Sequence, residues 1–340
     1  MGEKRKILFT YSDDPESTFI RQDIKFLQKW YVVEEQPLQK FGWYHAIFSP
    51  HFWKIVARND AVFGWFGTSA SAIIIGFLLR KPTIVVAGGC DVVEIPEIGY
   101  GFRRTNPFFL YMVLGYHLAS KVLLFSDASR KDFLKILGTK TSNSQLLYLG
   151  VDTDYFRPFG EKKDQVLTIC YFTQSNWLRK GLRTFVEVAK LLPDVTFKIA
   201  GKVAEPDFFS YLMKVSPPNL IISGNLSKEQ LLKEYQESRI YAQLSLHEGF
   251  GMALVEAMAC DCIPLVTNNG SLPEVVGDTG CFVPLNEPED ICKIIQEMLG
   301  NKSLSNPRQR VLERFSLNAR EDGLKKVMEG CFMGDSDDYR

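Results

Sequence analysis

The sequence predicts an α/β protein built from two doubly wound, parallel-sheet domains. Three observations carry that reading. Short apolar, β-branched runs alternate with helix-forming runs along the chain. The alternation restarts after GVDTDYFRPFGEKKDQ, residues 150–165, a stretch with Gly, Pro and a run of charges between apolar strands. A chain of 340 residues, 46% apolar and 24% charged, is long enough to bury two cores and has the composition of a soluble globular protein.

In order, Lys6 to Tyr11 reads as a strand and Glu16 to Gln28 as an amphipathic helix, followed by a short strand at Tyr31 to Val33. Ala61 to Leu79, AVFGWFGTSASAIIIGFLL, is uncharged over nineteen residues and long enough to span a bilayer. Its central Gly-Thr-Ser-Ala-Ser breaks it instead into a buried strand (Ala61 to Trp65), a turn supplying an N-cap, and a buried helix (Ser69 to Leu79). Thr83 to Ala87, Val122 to Phe125 and Gln145 to Leu149 continue the strands, with helices at Thr105 to Ser120 and Ala128 to Leu137. Such alternation implies a parallel sheet covered on both faces by right-handed crossovers.

The second half repeats the plan. Strands are expected at Val166 to Phe172, Val195 to Ala200, Leu220 to Ile222, Ile240 to Leu244 and Cys262 to Val266. Helices are expected at Gly181 to Leu191, Pro206 to Val215, Lys228 to Glu237, Met252 to Ala259 and Pro288 to Leu299. Ser227 with Gln230 forms a capping-box pattern. A last helix, about 316–332, follows all the strands. The domains are therefore expected at 1–155 and 156–315, with the last helix packing back on the first domain and the acidic tail GDSDDYR frayed.

The densest chemistry lies at residues 241–262, YAQLSLHEGFGMALVEAMACDC. An apolar strand stops at a Gly-rich turn and a helix follows at once. Glu248 sits in that turn; Glu256, after seven intervening residues, lies about one turn inside the helix and points towards the same crevice. Gly249 and Gly251 let backbone approach a ligand, and the helix start offers free N–H groups to an anion. Two hydroxyl acceptors beside a phosphate seat suit a nucleotide-sugar. Lys180-Gly181 opens another helix just after the first strand of the second domain, which supplies a cation and a helix N-terminus for a diphosphate. No Asp-x-Asp follows a strand of the core, so that diphosphate falls to fixed positive groups rather than to a divalent metal.

This pattern resembles the donor site of the retaining glycosyltransferases of family 4, which have the GT-B fold: two Rossmann-like domains with a cleft between them. The resemblance covers nearly all of the second domain and, more loosely, Val122 to Pro158, where LLYLGVDTDYFRP is similar to the family's interdomain segment. It implies that Glu248 contacts donor-sugar hydroxyls, Glu256 the ribose and Lys180 the diphosphate. Gly249, Phe250, Gly251 and the backbone around Gly270, in PLVTNNGSLPEVVGDTG, complete the donor site. Asp91, after the strand ending at Ala87, takes the place where the family sets a His or Asp facing the donor.

The sequence departs from the family twice. The expected Arg before the Lys-Gly step is replaced by Gln174 and Ser175, leaving Arg179 to substitute. The glycine-rich turn after the first strand is replaced by Ser12-Asp13-Asp14-Pro15. The implied activity is metal-independent transfer of a sugar, with retention, from a nucleotide-diphosphate sugar to a hydroxyl of a glycan, lipid or small molecule. No cofactor is implied. The alternatives left open are another GT-B enzyme (a phosphorylase or nucleotide-sugar epimerase) and a non-catalytic nucleotide- or sugar-binding protein.

The remaining features mostly exclude. GxGxxG after the first strand, a Walker P-loop and GxSxG are absent, against a nicotinamide oxidoreductase, a P-loop NTPase and a Ser hydrolase. Net charge is zero, so there is no general attraction to nucleic acid. Residues 1–150 carry 18 Lys and Arg against 13 Asp and Glu, and the rest 22 against 27. That basic first half, with Arg103 and Arg104 beside the aromatic stretch Tyr100 to Tyr116, leaves peripheral contact with an anionic membrane face open, while scattered surface charge and plain helix core are the commoner explanations. Seven cysteines, odd in number and without paired CxxC spacing, read as reduced residues of a cytoplasmic protein.

Overall fold

A computed structural model describes residues 3–11, 17–38, 42, 44–101, 107–137, 142–300 and 306–333. The chain folds as two compact units, Met1–Gly150 with Asn318–Arg340, and Val151–Leu317.

The first unit runs β1 (Lys6–Tyr11), α1 (Thr18–Trp30), β2 (Val32–Pro37), α2 (Pro50–Ala57), β3 (Ala61–Trp65), α3 (Ala70–Leu78), β4 (Thr83–Ala87), β5 (Glu94–Ile95), β6 (Tyr100–Gly101), α4 (Pro107–Leu118), β7 (Lys121–Leu124), α5 (Asp127–Leu137) and β8 (Ser144–Leu146). Its main sheet has the order β2-β1-β3-β4-β7-β8 and every pairing is parallel. The central strands β3 and β4 are buried at every position, as strands covered on both faces must be. The nineteen uncharged residues divide into β3, a 3₁₀ turn at Gly67–Ser69 and α3, but the expected N-cap is not made: Ser69 Oγ donates to the Thr10 and Trp65 carbonyls instead. Among the described residues no helix is long and apolar enough to cross a membrane.

The second unit runs β9 (Lys163–Ile169), α6 (Gln174–Arg179), α7 (Leu182–Leu191), β10 (Thr196–Gly201), α8 (Pro206–Val215), β11 (Leu220–Gly224), α9 (Lys228–Glu237), β12 (Ser238–Gln243), α10 (Met252–Ala259), β13 (Ile263–Thr267), α11 (Leu272–Val276), β14 (Cys281–Val283), α12 (Pro288–Gly300) and α13 (Pro307–Arg314). The sheet order is β11-β10-β9-β12-β13-β14, again all parallel. Connections from β9 run outward to one edge, return across the sheet to β12, and then run to the other edge. The order therefore reverses between β9 and β12. A crevice outside the carboxyl ends of the two strands flanking such a reversal is where open α/β sheets bind ligands.

The fold class read from the sequence is the one found: two parallel sheets with flanking helices. The elements it missed were short or weakly apolar. The helix α13 buries only Pro307 and Val311, α6 has six residues, β14 has three, and β5 and β6 have two each; α11 was also missed. The miss at α2 is different, because its signals are present. Ser49 accepts from Phe52 N–H at 3.3 Å as N-cap, Pro50 follows, and Phe52, Ile55 and Val56 fall on one buried stripe. The segments Ser12 to Pro15, Arg103-Arg104 and the tail GDSDDYR lie outside the described residues.

The last helix, α14 (Leu317–Met333), buries Arg320, Leu324, Val327 and Met328 along one face. Beyond Leu317 it belongs to the first unit, where Arg320 meets Asp23 of α1 in a bidentate pair at 3.1 and 2.7 Å.

Candidate functional site

In the second unit, the two chain segments leaving β9 and β12 are locked together by a close backbone approach. Thr173 caps α6, its side chain accepting from Asn176 N–H at 3.3 Å, and α6 ends at Lys180. Gly181 then turns the chain at φ +67°, and a Cβ there would stand 2.1 Å from the Leu244 carbonyl oxygen. Only glycine permits that contact. Leu246 N–H donates to the Arg179 carbonyl at 2.8 Å, completing the join. The Lys180 ammonium is thereby carried from the end of β9 to Glu248 beyond β12, with which it forms an ion pair.

A second lock holds Glu248 from the other side. Ser271 N–H donates to the Glu248 carbonyl at 3.0 Å. Gly270, at φ +56°, lies so close that a Cβ would stand 2.4 Å from that same oxygen. Thr267 Oγ1 donates to the Ser245 carbonyl at 2.6 Å, fixing the strand end beneath.

The Glu248 carboxyl is buried, 6% exposed. Besides Lys180, its Oε1 accepts from Gln243 Nε2 at 2.6 Å and Ser245 Oγ at 2.8 Å. Burial pushes its pKa up, but the charges of Lys180 and Arg179, with the bonds from Lys180 and Ser245, outweigh burial and leave it below the ordinary value. The group is therefore ionised at neutral pH. Its other oxygen, Oε2, has no hydrogen-bond partner among the described residues. An ionised oxygen left open at the accessible edge of an otherwise buried carboxyl can take a hydroxyl that a ligand brings.

Glu256 sits on α10, half-buried, and its Oε2 accepts from Tyr235 Oη at 2.9 Å. Burial raises its pKa to about 7, against the lowering effect of the Tyr235 bond. Oε1 has no partner among the described residues. The helix start beside it has Gly251 at φ +92° as N-cap and, among the described residues, no side-chain cap, so no capping side chain competes with an anion for its first N–H groups.

The structure thus brings Lys180, Glu248 and Gly270 into direct contact and sets Arg179 within electrostatic reach of Glu248. Arg179 is half-buried and donates to Asn176 Oδ1 at 2.7 Å. Gln174 and Ser175 are exposed, with Gln174 N–H held by Glu205 at 2.8 Å. The Phe250 ring is 3% exposed and packs edge-on against Phe315 at 5.5 Å, so the side chain buttresses the turn from within.

Asp91 lies in the first unit and is only 3% exposed. Its carboxylate accepts from Gly67, Gly88 and Gly89 N–H at 3.1, 3.3 and 2.9 Å and from Tyr116 Oη at 2.5 Å. Burial raises its pKa against those bonds. With both oxygens occupied it acts, as found, as a clamp on the turn after β4 and offers no open acceptor. Among the described residues no group of three or more His, Cys, Asp or Glu stands where it could hold a metal.

Sequence reasoning missed Tyr235, Gln243 and Ser245. The last two carry a signal in the strand itself: polar residues at alternate positions of an otherwise apolar run.

The profile of the family described as "Glycosyl transferases group 1" matches residues 153–322. An uncharacterized glycosyltransferase of Methanocaldococcus jannaschii is 32% identical over 285 residues, covering 74% of this chain and 75% of its own. A phosphatidylinositol N-acetylglucosaminyltransferase subunit of Arabidopsis thaliana is 22% identical, over 70% of this chain and 55% of its own. The MMP α-(1→4)-mannosyltransferase of Mycolicibacterium hassiacum is 29% identical, over 60% and 50%. The chain spans about half the length of these last two curated relatives. Among solved structures, Anabaena HepE in complex with UDP superposes with a TM-score of 0.78 at 17% identity, covering 95% of this chain and 99% of that one. Sucrose-phosphate synthase of Thermosynechococcus elongatus gives 0.79 at 15% identity, over 97% and 99%.

Proposed function

The chain belongs to the glycosyl transferases of group 1, and on that footing we propose that it is a retaining, metal-independent sugar transferase of the family 4 type, using a nucleotide-diphosphate sugar as donor and a hydroxyl as acceptor. One observation carries the proposal: at the reversal point of the second sheet, a lysine and a carboxylate are paired while one carboxylate oxygen stays open. In this reading Glu248 Oε2 accepts from donor-sugar hydroxyls. Lys180, with Arg179 and the first N–H groups of α10, draws in the diphosphate. Glu256 Oε1 accepts from the ribose. The acceptor hydroxyl attacks the anomeric carbon on the leaving-group face, the bond to the diphosphate breaks, and the departing phosphate oxygen takes the hydroxyl proton. No protein nucleophile takes part.

The test is a calorimetric and thermal-shift panel of nucleotide-sugars on the native chain and on Lys180→Ala, followed by NMR of the product's anomeric configuration. At least one nucleotide-sugar is expected to bind and stabilise the protein. Lys180→Ala should weaken it about 10- to 100-fold, the worth of a hydrogen bond to a charged group. Transfer should proceed in the presence of a chelator, with the anomeric configuration kept. Equal affinity in Lys180→Ala, an inverted product, or loss of transfer with chelator would each count against the assignment.

Glu256 adds a pH dependence whose sign is fixed. Ribose hydroxyls donate to the ionised carboxylate, so binding favours the charged form and expels a proton. Affinity for a nucleotide-sugar, whose diphosphate diester does not titrate near neutrality, is therefore full above about pH 7 and falls as pH drops through that value. Calorimetry at pH 7 in two buffers of different ionisation enthalpy should report proton release, and Glu256→Gln should abolish it. Proton uptake, or none in the native chain, contradicts the role.

A further inference from the structure

Strand β12 presents two different faces. Ile240, Ala242 and Leu244 point into the core of the second unit. The alternate positions, Tyr241, Gln243 and Ser245, are also buried, at 0%, 3% and 0% exposure, but are joined by hydrogen bonds. Tyr241 Oη contacts Gln243 Oε1 at 3.1 Å, and Gln243 Nε2 contacts Ser245 Oγ at 3.1 Å and Glu248 Oε1 at 2.6 Å. An amide in a strand core is costly unless every polar atom is satisfied, and here each end of the amide has a partner.

The direction of this chain is not arbitrary. An ionised carboxylate accepts and cannot donate, so the Gln243 atom facing Glu248 must be the amide nitrogen. Its carbonyl then faces Tyr241, whose hydroxyl must donate. The donors run one way, from the Tyr241 phenol through the Gln243 amide to the Glu248 carboxylate. With Lys180 and Ser245 also on Oε1, that oxygen is saturated, and the rotation of the carboxyl group is fixed with Oε2 as the one open acceptor.

We propose that Gln243 is a positioning residue of the donor site: its amide, oriented by Tyr241, holds Glu248 so that a single carboxylate oxygen faces the sugar. The inference rests on the role given above to Glu248 and extends it to residues that touch no substrate.

Two variants test it. Gln243→Leu keeps the volume and removes the donor. Gln243→Glu keeps the shape and sets a second carboxylate against Glu248. Donor KM, kcat, the pH profile of kcat/KM and the thermal midpoint are measured for both beside the native chain. In Gln243→Leu, kcat/KM should fall about tenfold, with the lower acid limb, that of Glu248 beneath the Glu256 limb near pH 7, displaced to higher pH because Glu248 has lost a donor that favours its charged form. In Gln243→Glu the limb should move up by at least one pH unit, since two adjacent carboxylates oppose each other's ionisation. Tyr241→Phe, which leaves the amide in place but unoriented, should give a smaller change of the same sign. Variants that keep native kcat/KM and a native pH profile, whatever happens to their thermal midpoint, overturn the proposal while leaving the transferase reading intact. A native chain that neither binds nor transfers from any nucleotide-sugar overturns both.

Discussion

Glu248→Gln is expected to lower kcat/KM on the order of 10³-fold while the protein stays folded. The buried network dictates that outcome. In the variant the amide oxygen can take the place of Oε1 and still accept from Lys180, Gln243 and Ser245, the three donors that surround it. The amide nitrogen must then occupy the position of Oε2. The open acceptor of this carboxyl group thereby becomes a donor, facing sugar hydroxyls that need an acceptor. Losing two hydrogen bonds to a charged group, at about 2 kcal/mol each, corresponds to roughly 10³-fold. The internal bonds survive, so the stability cost should be only about 1 kcal/mol, which moves the thermal midpoint by roughly 2–4 °C in a domain of this size. Steady-state kinetics and a melting curve check both halves. Turnover within a few-fold of native would remove Glu248 from the reaction; a collapse of the melting curve would make it structural.

What the sequence made legible follows from how local each signal is. The Gly-rich turn, the helix after it and the Lys180-Gly181 step lie within short windows, and the physics that positions them is local: turn glycines, helix starts, strand ends. The pairing of Lys180 with Glu248 is not local, since 68 residues separate them. It could be inferred only once β9 and β12 were known to be neighbours. The surroundings of Asp91 were hidden for the same reason. A turn aspartate after a strand looks open in sequence, and only the fold brings Gly67 N–H and the Tyr116 hydroxyl, 24 and 25 residues away, onto its oxygens. Gln243 was passed over because a single amide in an apolar strand resembles noise until its partners are seen. The burial of the Phe250 ring was not legible either, since only the fold brings Phe315, 65 residues away, edge-on against it.

Arg320→Ala is expected to destabilise the first unit by about 3–5 kcal/mol, the cost of stripping one partner from a buried ion pair. Asp23 lies at a stripe position of α1, among Ile20, Ile24 and Leu27, where an apolar residue belongs. Arg320 does the same on α14, beside Leu324, Val327 and Met328. Each charge is inexplicable on its own helix and is explained by the other, across 297 residues. They are 1% and 3% exposed, and the set is saturated. Arg320 also donates to the Leu147 and Tyr148 carbonyls at 2.9 and 3.3 Å, and Trp65 Nε1 donates to Asp23 at 3.1 Å. Without the guanidinium, Asp23 keeps only the indole N–H, and two carbonyls lose a donor. The double variant Asp23→Asn with Arg320→Met removes both charges and should cost less than Arg320→Ala alone, because no buried charge is left unpaired. Urea unfolding of the three proteins gives the comparison. If the double variant proves the weaker, the dominant penalty is lost packing rather than a stranded carboxylate, and the pair is not what holds α14 to α1.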